Sequence, residues 1–590
     1  MEKSVNHKPE YLMLSQICQI IGGTMHAQDC GIKCAVYAKD KIEEGCLFFA
    51  LTERLVETYM DIPLAMEKKA AAIVTEKYID EYPCIVVEDS FEAYMRLAEW
   101  YRSRMDIQVV AITGSIGKTT TKEMTSYVLN NAFCVEQNEG NQNYAAAFAQ
   151  GIINLNNQTD IYLQEKSVTT HMHQSSVACK PTIAVITNIG YSHVERYGRR
   201  EDIFYEKMKI TDGMDKNGVL ILNADDDLLC QFNDDMNRSI ITYGIENENV
   251  DFRAVDIIKD QEGYNFIICH GKKRQPARIN CSGKHNVANA LAAYIVGLQL
   301  GMDVDKILDG LAQYHPTGYR QNFLSIGETI IYADCFNAAP DSVKAALDTL
   351  ETLDDTNGEK IAVLGNMYGF GTYMEEFHRE VGRYINSKKI DRVILYGENM
   401  LFAYEEINNP SIKKNHIIWR NDLIELLRSE IVGTKCMVLF KASLGIMAGV
   451  IDEVFEIKQK RGFNFARYRM QSVEKRALKE YFSANHIESA ALYGLHVREL
   501  ELVKLLDDCG VKVKYGIDRK AKYLPNQLYP IDIKGPDQDL EIIDMVIVTI
   551  TNYDKTFIYN IKNKFNSDRV YSFEELYEKA IIAMRERIRS

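Results

Sequence analysis

The chain has no long apolar run, no leader-like start and no excess of positive charge. No apolar stretch approaches the ~18 residues of a membrane span, and the start MEKSVNHKPEYLML lacks a hydrophobic signal-peptide core. The formal net charge is −14, whereas nucleic acids and anionic membranes bind clustered Lys and Arg. We therefore expect no membrane insertion, no nucleic-acid partner and a cytoplasmic location.

Regularly spaced cysteines are also missing. Thirteen Cys are scattered along 590 residues, and the two closest, Cys30 and Cys34, do not form a CxxC motif. This pattern predicts reduced thiols, mostly buried, rather than a disulfide framework or a metal-binding knuckle. With 46% hydrophobic and 26% charged residues, the composition is that of a globular protein with several cores, which predicts three or four domains.

The most informative stretch is IQVVAITGSIGKTTTK at residues 107–122, where an apolar run breaks into a glycine loop. Such a loop leaves backbone N–H groups free to surround phosphate oxygens, and the following helix N-terminus adds roughly half a positive charge. Lys118 would reach the outer phosphates, and the Thr119 hydroxyl suits Mg²⁺. Ile112 stands where the common, longer loop has glycine, so an ordinary strand-to-helix turn is the alternative. The predicted nucleotide-binding residues of this loop are Gly114, Ser115, Gly117, Lys118, Thr119 and Thr120.

Two further side chains follow predicted strands, at the end where open α/β sheets place ligands. His193, in VITNIGYSHVERYG, would bind a metal directly or through water, and Glu165 would supply the carboxylate oxygen that Mg²⁺ prefers. The alternatives are a loop histidine with protein partners and a solvated carboxylate.

Other candidates have equally plain alternatives. Lys207 and Lys209 lie on a predicted helix, IFYEKMKI, and taken alone they predict a solvated basic face. Arg320 precedes a predicted strand and Asp334 ends it, so the two would hold a phosphate and a ribose hydroxyl. A surface ion pair is the other interpretation.

Short β-rich runs alternate with helical stretches along the whole chain, which predicts an α/β fold with parallel sheets covered by helices. We expect a small α/β domain at residues 1–103, a central nucleotide-binding domain at 104–315 and a third domain at 316–457. A basic stretch at residues 458–476 predicts a linker. It begins a fourth region, 458–590, in which strand-like and helical stretches again alternate.

Taken in order, these motifs resemble the Mur ligase family of peptidoglycan synthesis, and within it the type that adds D-alanyl-D-alanine. The resemblance covers roughly residues 30–455. Beyond the glycine loop it rests on GNQNYAAAF, TNIGYSHVE, EKMKI, LNADDD, GKHNVANALAA, ADCFNAAPDS, AVLGNMYGFG, FHREVG and FKASLG.

The resemblance implies a three-domain enzyme: an N-terminal domain for a UDP-sugar peptide, a central ATPase domain and a mobile, Rossmann-like C-terminal domain. In this family ATP phosphorylates a carboxylate to an acyl phosphate, and an amine then displaces the phosphate. The implied reaction adds D-alanyl-D-alanine to UDP-N-acetylmuramoyl-tripeptide, with ATP and two Mg²⁺ ions and with only small molecules as substrates.

The resemblance also assigns roles by position. Lys118, Lys207 and His193 would be catalytic, with Lys207 as the lysine that is carbamylated in this family. Asn289 would contact adenine, and Arg320 and Asp334 would reach the nucleotide from the third domain. The implied metal-binding set is Thr119, Glu165, His193 and Lys207.

The chain departs from the family pattern mainly at the acceptor and amine ends. The usual Asn-Ala-Asn-Pro is Asn-Ala-Ala-Pro at residues 337–340, and the usual Gly-Asp-Met is Gly-Asn-Met at 365–367. Two alternatives therefore stay open. One is a diverged paralogue that joins another amine to another carboxylate in a surface-polymer pathway, and the other is a catalytically decayed nucleotide-binding scaffold.

Residues 461–590 lie outside the family pattern and resemble a degenerate dinucleotide fold. Only Gly494 remains of the G-x-G-x-x-G turn, because His496 and Glu499 occupy the other glycine positions. Without those glycines the backbone cannot approach a pyrophosphate closely, so we do not expect NAD(P). We expect an interaction or regulatory module with a possible protein partner.

Overall fold

A computed structural model describes most of the chain. The described residues are 11–53, 56–138, 142–168, 171–260, 262–353, 358–443, 445–457, 472–494, 499–518, 531–535, 543–549, 561–562, 564–565 and 569–589. They divide into two compact units, one within Ala98–Ala466 and the other within Pro9–Leu97 and Arg467–Ser590. None of the helices described in these ranges combines the length and apolar character that crossing a bilayer requires.

The N-terminal region contains a five-stranded sheet in the order β2-β9-β8-β5-β4, in which only β2 is antiparallel to its neighbour. The described strands of this region are β1 Leu12–Met13, β2 Thr24–His26, β3 Gly31–Ile32, β4 Ala35–Val36, β5 Leu47–Phe49, β6 Thr52–Glu53, β7 Val56–Glu57, β8 Ala72–Thr75 and β9 Cys84–Val86, and its helices are α1 Leu14–Ile21, α2 Ile62–Glu67 and α3 Ser90–Arg102. Strand β1 pairs with β3, and β6 with β7, in two separate two-stranded sheets.

The central region contains a nine-stranded sheet in the order β11-β12-β10-β13-β14-β15-β16-β17-β18. The first seven strands are parallel and the last two pairings are antiparallel. The strands are β10 Gln108–Thr113, β11 Val135–Gln137, β12 Ile161–Glu165, β13 Ile183–Ile186, β14 Val219–Asn223, β15 Ser239–Gly244, β16 Phe252–Lys259, β17 Tyr264–His270 and β18 Lys273–Ile279. The helices are α4 Lys118–Leu129, α5 Ala145–Asn154, α6 Met172–Cys179, α7 Val194–Tyr197, α8 Arg200–Met208, α9 His285–Gln299 and α10 Val304–Gln313.

The third region has a six-stranded sheet in the order β19-β20-β24-β21-β22-β23, parallel except for the edge strand β19. Its strands are β19 Asn322–Ile326, β20 Thr329–Ala333, β21 Glu359–Gly365, β22 Arg392–Tyr396, β23 Lys413–Ile417 and β24 Cys436–Lys441, and its helices are α11 Pro340–Glu351, α12 Met374–Ile385, α13 Met400–Glu406, α14 Arg420–Glu430 and α15 Ile446–Val454.

The fourth region has a parallel sheet in the order β27-β26-β25-β28-β29, which is the 3-2-1-4-5 order of a Rossmann-like fold. Its strands are β25 Ser489–Tyr493, β26 Lys512–Ile517, β27 Asp532–Lys534, β28 Met545–Val548 and β29 Val570–Ser572, and its helices are α16 Ser472–Ala484, α17 Glu499–Asp508 and α18 Phe573–Arg589. Helix α16 corrects the expected linker, because residues 472–476 of the basic stretch are helical; residues 458–471 of that stretch lie outside the described residues.

The N-terminal and fourth regions share one apolar cluster. Phe48 and Ile73 of the N-terminal sheet belong to the same buried cluster as Leu492, Leu506 and Ile547 of the fourth region. Burial of apolar surface is the main favourable term in such packing. The fourth region is therefore packed against another part of this chain.

The central sheet brings the predicted site residues to one edge. Its middle strands are almost fully buried, as parallel strands covered on both faces by helices usually are. Parallel pairing places Ile112 beside Glu165, and Thr113 beside Ile186. The carboxyl ends of β10, β12 and β13 therefore lie together, where open α/β sheets bind ligands.

Candidate nucleotide and metal site

The loop between β10 and α4 needs glycine at two positions. Gly114 has φ +151° and Gly117 has φ +83°, values that L side chains rarely adopt. A Cβ on Gly114 would lie 1.9 Å from Thr187 Oγ1, and one on Gly117 would lie 2.7 Å from Asn289 Oδ1. The loop therefore passes so close to two other segments that neither glycine has room for a side chain.

The loop after β13 holds the glycine loop in place. The Thr187 hydroxyl donates to the Ile116 carbonyl at 2.6 Å, and the Ile116 N–H donates to Asn188 Oδ1 at 2.9 Å. The Gly190 N–H donates to Ser115 Oγ at 2.7 Å. These bonds fix the loop conformation within the protein itself, so binding a ligand requires little rearrangement.

Lys118 bends back over the loop that precedes it. Its Nζ donates to the carbonyls of Gly114, at 2.8 Å, and Ser115, at 3.2 Å. Burial lowers the pKa of Lys118, while the nearby Glu165 carboxylate acts to raise it and Arg320 acts to lower it. The amine thus lies inside the loop, within electrostatic range of both groups.

Glu165 ends β12 and is 3% exposed. Its backbone N–H donates to Asn138 Oδ1 at 2.8 Å, and its Oε1 accepts from Asn143 Nδ2 at 3.2 Å. Its Oε2 is buried and has no hydrogen-bond partner. Because an unsatisfied buried carboxylate oxygen is costly, this atom is suited to receive a cation. Of the two sequence interpretations of Glu165, the solvated carboxylate is wrong.

Lys207 is also buried, so the expected solvated basic face is wrong for this residue. It is 1% exposed, and burial lowers its pKa well below the ordinary value, with the charge of Lys118 lowering it further. Lys209 behaves as predicted, because it is half exposed and pairs with Glu206 at 2.6 Å. Lys207 is therefore a buried lysine within electrostatic range of Lys118, which belongs to the glycine loop.

His193 occupies a turn at the start of α7. It has φ +72° and an exposed side chain. Within the described ranges, no three His, Cys, Asp or Glu side chains group closely enough to hold a metal ion. The structure thus does not join Glu165 and His193 to a third such ligand, and the role of His193 stays a prediction.

Asn289, on α9, lies against the loop rather than in an open pocket. Its Oδ1 accepts from Thr121 Oγ1 at 3.0 Å, and its Nδ2 donates to Asn286 Oδ1 at 2.9 Å. Thr120 is hydrogen-bonded to the buried Tyr314 hydroxyl. The adenine contact expected of Asn289 stays a prediction, since both ends of its amide have partners within the protein.

Arg320 reaches the loop from the third region. Its Nη1 donates to Thr119 Oγ1 at 3.1 Å, and its guanidinium lies 3.6 Å from the centre of the Phe336 ring. Asp334 instead forms a largely buried ion pair with Lys441. Arg320 and Asp334 thus lie at the same domain edge, and Asp334 has a different cation as its partner.

Sequence reasoning missed several supporting residues. Thr187 holds the glycine loop, and Asn138 holds the backbone of Glu165. The Phe336 ring packs against the Arg320 guanidinium. Asn138 carried a usable signal because it directly follows β11, at the carboxyl end of a parallel strand. No local pattern marks Phe336 as a cation–π partner.

Family models match two long segments of the chain. Residues 112–297 match the Mur ligase middle domain, and residues 320–444 match the Mur ligase, glutamate ligase domain. These segments contain every predicted site residue.

Individual relatives agree with the family models. The UDP-N-acetylmuramoyl-tripeptide--D-alanyl-D-alanine ligase of Bacillus subtilis is 32% identical over 431 residues, covering 70% of this chain and 92% of the relative. The Escherichia coli protein of the same name is 27% identical over 463 residues, covering 76% of this chain and 98% of the relative. A crystal structure of MurF from Acinetobacter baumannii aligns with TM-score 0.69 at 25% identity, covering 76% of this chain and 99% of that one. About a quarter of this chain thus has no counterpart in that structure.

Proposed function

The chain belongs to the Mur ligase family of ATP-dependent ligases, and from that premise we propose that it adds D-alanyl-D-alanine to UDP-N-acetylmuramoyl-tripeptide through an acyl phosphate. The named relatives carry this activity in their names. We also propose that the reaction takes place in the cytoplasm, as the composition predicts. A protein partner for the fourth region stays a prediction.

The observation that carries the proposal is the set of charges around the glycine loop. Lys118 interacts electrostatically with Lys207, Arg320 and Glu165, and these four side chains come from different elements of one unit. Lys118 and Arg320, which donates to Thr119 of the same loop, place two basic groups beside the Glu165 carboxylate and form a site for a polyanion. A ligase of this kind must hold a triphosphate next to a second anion, the carboxylate of its acceptor.

Each group has a role that its geometry permits. The N–H groups at the N-terminus of α4, which begins at Lys118, would bind phosphate oxygens. Lys118 would turn from the loop carbonyls to the outer phosphates, and Arg320 would follow from the third region. These contacts would stabilise charge on the phosphoryl group as it moves from ATP to the acceptor carboxylate, with ADP as the leaving group. The amine of the incoming dipeptide then attacks the acyl carbon, and orthophosphate leaves.

The residues present also fit a magnesium ion. Glu165 Oε2 is a buried oxygen without a hydrogen-bond partner, and Thr119 follows the loop lysine at the position whose hydroxyl contacts Mg²⁺ in loops of this type. Mg²⁺ usually takes one or two protein oxygens and completes its shell with water and phosphates. A protein cage of three ligands is therefore unnecessary. The ion would supply charge neutralisation between the two anionic substrates.

Lys207 fits the carbamate that the family resemblance implies. A carbamate forms when a neutral amine attacks CO₂ and loses a proton. Burial and the neighbouring Lys118 both lower the pKa of Lys207 and so favour the neutral amine. We propose that the resulting carbamate oxygens help to hold a second Mg²⁺.

The amine end supports a second candidate, a paralogue with another amine substrate. Asn366, which replaces the usual acidic residue, is 3% exposed, and its Oδ1 is buried without a hydrogen-bond partner. Its Nδ2 donates to the Tyr368 hydroxyl at 3.2 Å. The chain therefore has a buried neutral amide where the family pattern has a carboxylate, and a neutral group would attract a positively charged amine less strongly.

Product identification tests both candidates. Purified full-length protein would be incubated with ATP, Mg²⁺, UDP-N-acetylmuramoyl-tripeptide and a panel of amino acids and dipeptides, and the products identified by mass spectrometry. We expect a mass increase corresponding to D-alanyl-D-alanine minus water. Turnover with a different amine or acceptor alone would establish the paralogue, and ATP binding without turnover of any pair would indicate a decayed scaffold.

A further inference from the structure

Two thiols of the N-terminal region meet across neighbouring strands. Cys34 directly precedes β4, and Cys46 directly precedes β5. The parallel register pairs Ala35 with Leu47, and the Leu47 N–H donates to the Cys34 carbonyl at 2.9 Å. Cys34 and Cys46 are therefore opposite one another, with their side chains on the same face of the sheet.

The spacing of the two residues suits a covalent bond. Neighbouring strands lie about 4.8 Å apart, and a disulfide needs Cα atoms about 4.4–6.8 Å apart with Cβ atoms facing each other. The two thiols already contact each other through a hydrogen bond. The strand spacing lies within this Cα range, so bond formation requires local adjustment that brings the two Cβ atoms closer, and β4 and β5 stay paired.

The two thiols differ in access and in reactivity. Cys46 is fully buried in the apolar cluster shared with the fourth region, whereas Cys34 lies at its margin and is partly exposed. The hydrogen bond from Cys34 lowers the pKa of the Cys46 thiol against the effect of burial. Cys84, in the same cluster, has a pKa raised by burial. The pair thus has an accessible thiol and a buried partner with more thiolate character.

We propose that Cys34 and Cys46 form a reversible disulfide in response to low-molecular-weight disulfides such as oxidised glutathione. The reagent first reacts with the accessible Cys34 sulfur, giving a mixed disulfide and releasing one glutathione thiol. The Cys46 thiolate then attacks the Cys34 sulfur, and a second glutathione thiol leaves. Two protein thiols are oxidised and one small disulfide is reduced to two thiols.

The bond would tie the edge of the N-terminal sheet to its interior. Strand β4 is the edge strand and β5 its inner neighbour, so the disulfide closes the connection between residues 34 and 46. Closing a loop limits the unfolded chain, and the oxidised protein should therefore unfold at a higher temperature than the reduced one.

Peptide mapping of the full-length protein tests the proposal. Cleavage after Lys33, Lys39, Lys41 and Arg54 separates the two cysteines into the peptides CAVYAK and IEEGCLFFALTER. After equilibration with oxidised glutathione, we expect these two peptides to be joined, with neither cysteine carrying glutathione. Dithiothreitol should separate them again.

Variants serve as controls. Cys34→Ala and Cys46→Ala should each abolish the linked peptide, whereas Cys84→Ala, in the same buried cluster, and Cys30→Ala should leave it unchanged. Because the mapping is made on the wild-type chain, the test does not depend on the folding of any variant. Unchanged thiol numbers, a stable glutathione adduct on Cys34 or a bond between Cys34 and Cys30 would each overturn the proposal.

Discussion

Replacing Lys118 by methionine tests the glycine loop most sharply. Methionine has a similar length and no charge, so it keeps the packing and removes the donor. Burial disfavours the charged form of Lys118 and so lowers its pKa. The variant should therefore be as resistant to unfolding as the parent, or more so, while binding ATP less well.

The size of the effect follows from the contact that is lost. A hydrogen bond to a charged group contributes about 1.5–3 kcal/mol, which corresponds to roughly 10–150-fold in nucleotide affinity. If Lys118 also stabilises the phosphoryl group during transfer, ligation should fall by a further factor of about 100–1,000. Affinity would be measured by isothermal titration calorimetry, and ligation by phosphate release.

Lys122 provides a matched control on the same helix. It lies four residues further along α4, is 4% exposed, and also has a pKa lowered by burial. Its Nζ donates to the Asn138 carbonyl at 3.2 Å, away from the loop carbonyls. Lys122→Met should reduce ATP affinity by about tenfold or less, the effect of one neighbouring charge. Equal losses in both variants, or Lys118→Met binding and ligating within threefold of the parent, would refute the reasoning.

Three further predictions concern other parts of the molecule. Lys207→Ala should lose most ligation activity. Added bicarbonate should restore the activity of wild-type protein that has been depleted of bicarbonate, but not the activity of the variant; a fully active variant would show that no carbamate at this position is needed. His378 is fully buried, accepts from the Met367 N–H at 3.1 Å and has a pKa lowered by burial to about 4. Since the unfolded histidine titrates near 6.5, the free energy of unfolding should fall by about 3 kcal/mol as pH falls from 6.5 through 4. In chemical unfolding experiments, the free energy of unfolding of His378→Gln should depend less on pH. Deleting residues 458–590 should uncover the apolar cluster around Phe48, increase dye binding and lower the unfolding temperature, yet leave ATP affinity within threefold; an unchanged unfolding temperature would contradict the shared cluster.

The parts of the fold predicted from sequence are those with strong local patterns. The run TIAVIT predicted β13 within a residue at each end, and alternation of strands and helices predicted the parallel central sheet. The antiparallel extension β16–β18 was not predicted, although β17 alternates buried with more exposed positions along most of its length. Such half-exposed strands are less apolar than buried parallel ones, so a search for apolar runs overlooks them.

The site was predictable where its residues are close in sequence. The glycine loop needs only eight neighbouring residues, and their order shows the phosphate site. Burial of Lys207 depends on packing from distant segments, so the sequence alone favoured a solvated lysine. The contact of Asn289 with Thr121 joins residues 168 positions apart. The family resemblance predicted that Lys207 and Asn289 belong to the site. Only the structure shows the burial of Lys207 and the hydrogen bonds of Asn289.

Oxygen isotope transfer tests the central claim most directly. The acceptor would be prepared with ¹⁸O in the reacting carboxylate, and the orthophosphate released during ligation analysed by mass spectrometry. An acyl phosphate intermediate predicts that one labelled oxygen per product appears in the phosphate. If amide product accumulates while the phosphate stays unlabelled, the carboxylate is not activated by phosphorylation and the account is contradicted.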